Sequence, residues 1–140
     1  MTYGLDTSVV LRLLTGEPRG LALKTATRVM AIIRSGGSCW IGDLVAAESY
    51  FALQYHYKMP KAEALAALAA LSAGEGLRFS EAAGRILKTK DLARANPGFA
   101  DRLIHADYRQ FGYGMLTCEH AAASLDGVEV IRDSSPAQSL

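Results

Sequence analysis

Apolar residues along the chain follow two patterns, short extended runs and longer stretches with helical spacing. Five runs have the length and composition of β-strands, and they cover residues 2–5, 38–41, 77–79, 113–117 and 128–131. Between these runs, apolar positions recur every three or four residues, as on the buried face of an amphipathic helix. These helical stretches lie at residues 20–34, 43–57, 61–73, 80–95, 99–111 and 119–125, after a shorter one that begins near Asp6.

Strands separated by helices predict right-handed crossovers and a parallel sheet that helices cover on both faces. No internal repeat and no interdomain linker interrupts this pattern. We therefore expect a single α/β domain over residues 1–133, with three layers and a five-stranded parallel sheet flanked by helices. A flexible tail is expected at residues 134–140, where the periodic pattern ends.

Composition narrows the class of protein. Of the 140 residues, 50% are hydrophobic and 21% are charged, which is enough for a core and excludes an intrinsically disordered chain. Fifteen basic residues against fourteen acidic ones exclude a strongly basic nucleic-acid coat. Two cysteines make no disulfide framework, and the longest apolar run, residues 64–71, is far shorter than the roughly 20 residues of a membrane span. We expect a soluble, cytoplasmic protein that does not bind membranes.

Four carboxylates occupy positions that the predicted topology would bring together. Asp6 directly follows the first strand, and Glu119 lies two residues beyond the fourth. Because ligands of open parallel sheets bind beyond the carboxyl ends of the strands, both acids are expected at the same edge. Glu48, among apolar neighbours, and Asp101, just after Pro97-Gly98, could join them from helices.

Each of these acids also has an ordinary structural interpretation. Asp6 and Glu119 could cap the helices that follow them. Asp101 could interact favourably with the dipole of its helix from the first turn. Glu48 could point outward from an amphipathic helix. The sequence leaves these interpretations open, and only the order of the four acids favours a common site.

Four carboxylates in one pocket would need a counter-charge. Two like charges 4 Å apart repel by about 4 kcal/mol at an effective dielectric constant of 20. Protonation or a hard cation relieves this cost. Mg²⁺ or Mn²⁺ prefers oxygen ligands, activates water and polarises phosphoryl groups, so such a site suits phosphodiester hydrolysis.

Four segments carry a resemblance to a known family. They are residues 3–14 with Asp6, 41–53 with Glu48, 98–104 with Asp101 and 116–120 with Glu119. In order and spacing, this set resembles the PIN-domain ribonucleases and, within them, the VapC-type toxins of bacterial toxin–antitoxin pairs. The resemblance implies a PIN-like three-layer fold and an endoribonuclease that hydrolyses RNA with Mg²⁺ or Mn²⁺. It also implies a homodimer and a cognate antitoxin protein.

The resemblance assigns roles to individual residues. It places the metal on the carboxylates of Asp6, Glu48, Asp101 and Glu119. Thr7 and Ser8 follow the first acid, where their hydroxyls could cap the helix or bind a metal-bound water, and Thr117 belongs to the fourth motif.

The fourth motif departs from the family pattern. It usually reads Thr-Phe-Asp followed by Arg or Lys, whereas this chain has Thr117-Cys118-Glu119-His120. The longer side chain moves the carboxylate by about one methylene group. The alternative interpretation is therefore a catalytically weakened PIN-like domain that serves as an RNA- or protein-binding module.

Two further features bear on partners. With the four acids set aside, ten acidic residues face fifteen basic ones, and the basic residues of the second half could follow an RNA backbone or simply form a solvated helix face. These basic residues are Arg78, Arg85, Lys88, Lys90, Arg94, Arg102 and Arg109.

The helical pair at residues 44–71 is apolar on more than one face, so we expect part of it to bind the antitoxin and the chain to self-associate. Its apolar side chains are Tyr50, Phe51, Leu53, Tyr57, Leu65, Leu68 and Leu71.

Overall fold

The computed structural model describes residues 1–133, and the tail expected at residues 134–140 lies outside them. The strands in this range are β1 (Thr2–Gly4), β2 (Ser38–Ile41), β3 (Leu77–Phe79), β4 (Met115–Thr117) and β5 (Val128–Val130). The α-helices are α1 (Thr7–Thr15), α2 (Arg19–Arg34), α3 (Asp43–Tyr55), α4 (Lys61–Ser72), α5 (Glu81–Leu87) and α6 (Phe99–Arg109). Short 3₁₀ helices occur at Leu92–Arg94 and His120–Ser124. Strands and helices therefore alternate as predicted.

The strands form two separate parallel sheets. In the first, β2 lies between β1 and β3, with Cys39 opposite both Tyr3 and Leu77. In the second, β4 pairs with β5, and Met115 lies opposite Val128. The prediction of a PIN-like fold with one five-stranded parallel sheet is therefore wrong for the described residues. They form a three-stranded sheet and a two-stranded sheet.

Side chains of α6 hold the two-stranded sheet in place. Arg109 donates one hydrogen bond to the carbonyl of Tyr113, just before β4, and another to the carboxylate of Asp126, just before β5. His105 forms a 2.6 Å hydrogen bond with the carbonyl oxygen of Asp126. Each strand is only three residues long, so few backbone hydrogen bonds are available to fix its place. Strands β4 and β5 are attached to α6 through side chains and do not pair with the first sheet. The pattern of strands in the sequence does not reveal such side-chain bonds.

The hydrophobic core lies on one face of the three-stranded sheet. Cys39 and Ile41 of β2 are fully buried there, and Phe79 of β3 is nearly so. The largest side chains that the helices bury completely are Val10, Leu53, Leu68 and Phe99. These residues belong to one contiguous cluster. Burial of α1, α3, α4 and α6 against the sheet fixes the helices that carry the candidate acids.

The hairpin of α3 and α4 buries most of its apolar side chains but not all of them. Tyr50, Leu53, Leu65 and Leu68 are all buried in the core. Phe51 stays 44% exposed, so part of the hairpin remains uncovered, as its composition predicted. The apolar side chains that α3 exposes are Leu44, Phe51 and Tyr55.

The predicted helix at residues 80–95 ends early, at Leu87. Its last turn tightens, because the amides of Lys88 and Thr89 bond to carbonyls only three residues before them. Asp91 then adopts a left-handed conformation with φ of 55°, which ends the helical path. The prediction of one continuous helix there is wrong.

The helices are short compared with a bilayer. The longest, α2, has 16 residues. Within residues 1–133, no helix is both long and apolar enough to cross a membrane. The apolar run at residues 64–71 lies within α4, whose buried residues are Ala64, Leu65 and Leu68.

Candidate active site

Asp6 lies between the end of β1 and the start of α1. Its Oδ1 accepts hydrogen bonds from the hydroxyl of Ser8 at 2.6 Å and from the amide of Val9 at 3.2 Å. The carboxylate thus caps α1, as the structural interpretation of the sequence predicted. These two bonds lower the pKa of Asp6 below its ordinary value, and they outweigh the opposing effect of desolvation. Asp6 is therefore exposed and firmly ionised at neutral pH.

Glu48 is tied to the same helix end through Thr7. The Thr7 hydroxyl donates a 2.9 Å hydrogen bond to Oε1 of Glu48, across the contact between α1 and α3. Glu48 is exposed, as an outward-facing residue of an amphipathic helix would be. Thr7 directly follows Asp6 in the chain and is hydrogen-bonded to Glu48, so Thr7 links the two acids. Of the four predicted site acids, Asp6 and Glu48 form the pair that hydrogen bonds connect most directly.

Asp101 and Glu119 form a second pair. Asp101 lies in the first turn of α6, and Glu119 precedes the 3₁₀ helix after β4 without capping it through its side chain. Both line a cleft of about 240 Å³, together with Thr117. The Thr117 hydroxyl accepts a hydrogen bond from the amide of Glu119 at 3.1 Å, which fixes the backbone at that position.

Tyr50 connects the two pairs. It lies on α3, two residues beyond Glu48, and its ring packs edge-on against Phe99 at the start of α6, with 5.2 Å between centroids. Burial raises the pKa of the Tyr50 hydroxyl, the bond from Gln54 opposes the rise, and the carboxylate of Asp101 adds to it. Asp101 is therefore close enough to α3 for its charge to be felt there.

The four acids do not converge on one point. Among residues 1–133, no three side chains of the histidine, cysteine, aspartate or glutamate type are close enough together to hold one metal ion. The expectation that Asp6 and Glu119 leave the same sheet edge is wrong, because β1 and β4 belong to different sheets. The lowered pKa of Asp6 likewise shows that hydrogen bonds, not carboxylate repulsion, dominate its surroundings.

The donor set nevertheless suits a hard divalent cation. Among the described residues, both bonds to Asp6 end on Oδ1 and the bond to Glu48 ends on Oε1, so one oxygen of each carboxylate has no bond from the protein. Carboxylate oxygens are the ligands that Mg²⁺ and Mn²⁺ prefer. Asp6 and Glu48 would hold such an ion, whereas Asp101 and Glu119 line a separate cleft.

Asp43 is an acid of this region that the sequence analysis treated only as a helix start. Its Oδ1 accepts a 2.6 Å hydrogen bond from Ser80, so the carboxyl ends of β2 and β3 are linked there. It also lines a separate cleft of about 700 Å³ between α5 and α6. The rule that selected Asp6, an acid directly beyond a strand, could have selected Asp43 as well.

Comparison with protein-family models, with characterised proteins and with solved structures gives no match. The geometry of the described residues and the motifs of the sequence therefore carry the functional argument.

The cap at Asp6 generates a stability prediction. Asp6→Ala should lower the free energy of unfolding by about 0.5–2 kcal/mol, because α1 loses its N-terminal acceptor. Asp6→Asn keeps an acceptor at this position, so its stability at neutral pH should stay close to that of the wild type. Urea denaturation of the three proteins measures the difference.

Acid titration provides the control. A carboxylate whose pKa is lower in the folded than in the unfolded state stabilises the fold above the unfolded-state value of ~3.9, and this contribution is lost as pH falls through the folded-state pKa. From about pH 5 downward, the wild type should therefore lose stability more steeply than Asp6→Asn. Parallel pH profiles for the two proteins would contradict the assigned role of the Ser8 and Val9 bonds.

Proposed function

We propose that the protein is a Mg²⁺- or Mn²⁺-dependent endoribonuclease that hydrolyses RNA phosphodiester bonds as the cytoplasmic toxin of a toxin–antitoxin pair. The observation that carries the proposal is the hydrogen-bonded series at the start of α1. There, Asp6 is held ionised by Ser8 and Val9, and Thr7 fixes Glu48 beside it. This arrangement coincides with the first two motifs of the PIN-domain resemblance.

Each residue would have its own role in a metal-dependent site. Asp6 presents a negative charge, and its two hydrogen-bond donors lower the pKa of the carboxylate further and fix its orientation. The hydrogen bond from Thr7 orients the Glu48 carboxylate. Glu48 would therefore lose little side-chain freedom when its other oxygen binds a metal ion. When bound, a divalent cation supplies Lewis acidity toward a phosphoryl oxygen and activates water for hydrolysis. Asp101 would add negative charge from the first turn of α6.

The second candidate function is a binding module with weakened catalysis. It is favoured by Glu119, which replaces the usual aspartate and follows β4 of the two-stranded sheet, on a different sheet from Asp6. Such a module would bind RNA or a protein without cutting RNA. Metal-dependent cleavage by the purified chain decides between the two functions.

The proposal includes a homodimer and an antitoxin protein. Leu44, Phe51 and Tyr55 form an exposed apolar stripe on α3, with Leu44 76% and Tyr55 71% exposed. Glu48 lies on the same helical face, one turn from Leu44. An antitoxin segment seated on this stripe would cover the Glu48 carboxylate, which suits an inhibitor.

Substitution of the first two acids tests the catalytic proposal. Asp6→Asn and Glu48→Gln should each reduce cleavage of RNA in Mg²⁺ or Mn²⁺ by more than about 100-fold, because direct ligands matter more than the outer partners whose loss costs 10- to 100-fold. Thr7→Val should fall in that lower range, since it only orients Glu48. Initial rates on end-labelled structured RNAs, with EDTA as the blank, measure these losses.

Asp107→Asn is the matched control, because Asp107 is an exposed acid of α6 that bonds only to Gln110 among the contacts of the described residues. Its activity should equal that of the wild type. Full activity of Asp6→Asn would contradict a metal site at this position, and no metal-dependent cleavage by the wild type would favour the binding module.

The position of Glu119 predicts a smaller role for it. Glu119→Ala should slow cleavage less than Asp6→Ala does, because Glu119 faces the site from the other sheet and has no hydrogen-bond link to Asp6. Glu119→Asp should retain activity. Cleavage rates measured against Mg²⁺ concentration rank the variants, and a loss in Glu119→Ala as complete as in Asp6→Ala would make Glu119 a full ligand instead.

The apolar stripe predicts where an antitoxin binds. When a candidate antitoxin, such as a small protein found to be encoded beside this gene, is co-expressed and co-purified, residues 44–55 should gain protection from hydrogen exchange. Leu44→Lys and Tyr55→Lys should each weaken its retention at least 10-fold, by placing an ammonium group in an apolar contact.

Leu23→Lys is the control for that experiment, because Leu23 is 68% exposed on a different helix, α2. Equal retention by all three lysine variants, or protection confined to other helices, would remove the α3 stripe from the interface.

A further inference from the structure

One face of the three-stranded sheet is open to solvent at its centre. Gly4, Trp40 and Arg78 lie opposite one another on β1, β2 and β3, and all three are exposed. Because side chains alternate across a strand, this row lies on the face opposite to buried Cys39 and Ile41. An exposed tryptophan on a central strand is unusual, since a central strand normally has both faces covered in an α/β fold.

Free space lies beside the indole of Trp40. The side chain is 43% exposed. A Cβ atom added to Gly4 would have no neighbour within 4 Å, so nothing fills the position next to the ring on β1. A Cβ atom on Gly42 would lie 3.8 Å from the indole Nε1, which places the ring toward the carboxyl edge of the sheet.

Three cations line the same groove as this tryptophan. A groove of about 750 Å³ runs from Trp40 to α5, and Arg78, Arg85 and Lys88 line it together with a single acid, Glu81. No side-chain hydrogen bond or ion pair connects any of these three cations to another of residues 1–133. Their charges are thus available to a ligand at no cost in lost internal contacts.

Two other basic residues of the second half, Arg102 and Arg109, are already engaged. Arg102 donates a 2.7 Å hydrogen bond to the carbonyl of Pro97, and Arg109 holds Tyr113 and Asp126. The structure therefore separates basic residues that stabilise the fold from those that face the groove. This distinction is absent from the sequence, where all of them look alike.

We propose that the groove, defined by Trp40, Arg78, Arg85 and Lys88, binds single-stranded RNA. One base stacks on the exposed face of Trp40, and the three cations contact the phosphates on either side of it. Aromatic platforms on open sheet faces and unpaired cations are the two elements by which proteins hold single strands without reading sequence. The choice of RNA as the polyanion rests on the ribonuclease function proposed above.

Trp40 also lies near the candidate active site within the sheet. Gly4, the neighbour of Trp40 in the row, lies two residues before Asp6, which corresponds to about 7 Å along an extended chain. The amide of Leu5 donates to the carbonyl of Trp40, so the end of β1 and the tryptophan are fixed relative to each other. The groove itself extends from Trp40 over β3 to α5, on the side of β2 away from β1.

Trp40 is the only tryptophan of the chain, and it reports directly on this contact. The experiment uses the full chain with Asp6→Asn, in EDTA, so that binding is measured without cleavage. A fluorescein-labelled 12-nucleotide single-stranded RNA of mixed sequence is titrated by anisotropy, and the same unlabelled RNA is titrated by tryptophan emission. We expect saturable quenching with the same Kd as the anisotropy change, and weaker quenching by a duplex of equal length.

Substitutions in the groove give the second measurement. Trp40→Ala should weaken binding roughly 5- to 150-fold, which corresponds to the loss of one stacked base, and Trp40→Phe should recover most of it. Arg78→Gln and Lys88→Gln should each weaken binding and reduce the slope of log Kd against log salt by about 0.7. Lys24→Gln, which removes an exposed charge from α2, and Phe111→Ala, which removes an exposed ring just beyond α6, should leave both quantities unchanged.

Three results would overturn the proposal. They are anisotropy binding without tryptophan quenching, equal binding of duplex and single strand, and quenching of tryptophan emission by polyglutamate at lower concentrations than by the RNA. The last would assign the groove to an acidic protein segment. Cleavage by the wild type with no quenching in Asp6→Asn would refute the groove alone, whereas quenching without any cleavage would support the groove and refute the ribonuclease.

Discussion

The hydrogen bonds that Asp6 accepts fix the part of the molecule on which the functional argument depends. Ser8 and Val9 donate to one oxygen of this carboxylate, start α1 directly after β1 and keep the group ionised. Because α1 begins there, Thr7 faces α3 and holds Glu48. A structural role and a functional role therefore share one side chain. The cap interpretation and the site interpretation of Asp6 describe the same geometry and do not compete.

Helix α6 is the second determinant of the architecture. Its first turn carries Asp101, and its last turn carries Arg109, which bonds to the segments that precede β4 and β5. One rigid element thus positions both an acid of the candidate site and the small sheet that leads to Glu119. Helix α6 joins the core through buried Phe99 and Leu103, and its polar contacts, not pairing with the first sheet, hold β4 and β5. Glu119 therefore follows a strand of the second sheet, whereas Asp6 follows a strand of the first.

The open face around Trp40 adds a surface of different chemistry. The acids near α1 are suited to a cation, whereas the groove of Trp40, Arg78, Arg85 and Lys88 presents unpaired positive charge and an aromatic ring. A polyanion drawn to the groove would meet the acids only at the edge of the sheet, where a divalent ion would reverse the local charge. Attraction of RNA and binding of metal are therefore compatible on one small domain, because they occupy separate surfaces.

The sequence alone determined the local elements and the character of the candidate acids. Hydrophobic spacing placed the strands and most helices correctly, since periodicity depends on near neighbours in the chain. Asp6 could be recognised as both cap and candidate ligand because its position beyond β1 is a local property. The break after Leu87 was missed because a left-handed residue at Asp91 has only a weak local signal.

Only the tertiary structure decided how these elements combine. Strand order depends on which three-residue segments pair, and in the fold β4 and β5 pair only with each other, next to the side-chain bonds of Arg109 and His105. The burial of Leu53 and Leu68, the exposure of Trp40 and the unpaired state of Arg78 and Lys88 are likewise products of long-range packing. Residue type and spacing specify what a side chain can do, but its contacts in the fold determine whether it remains free to do it.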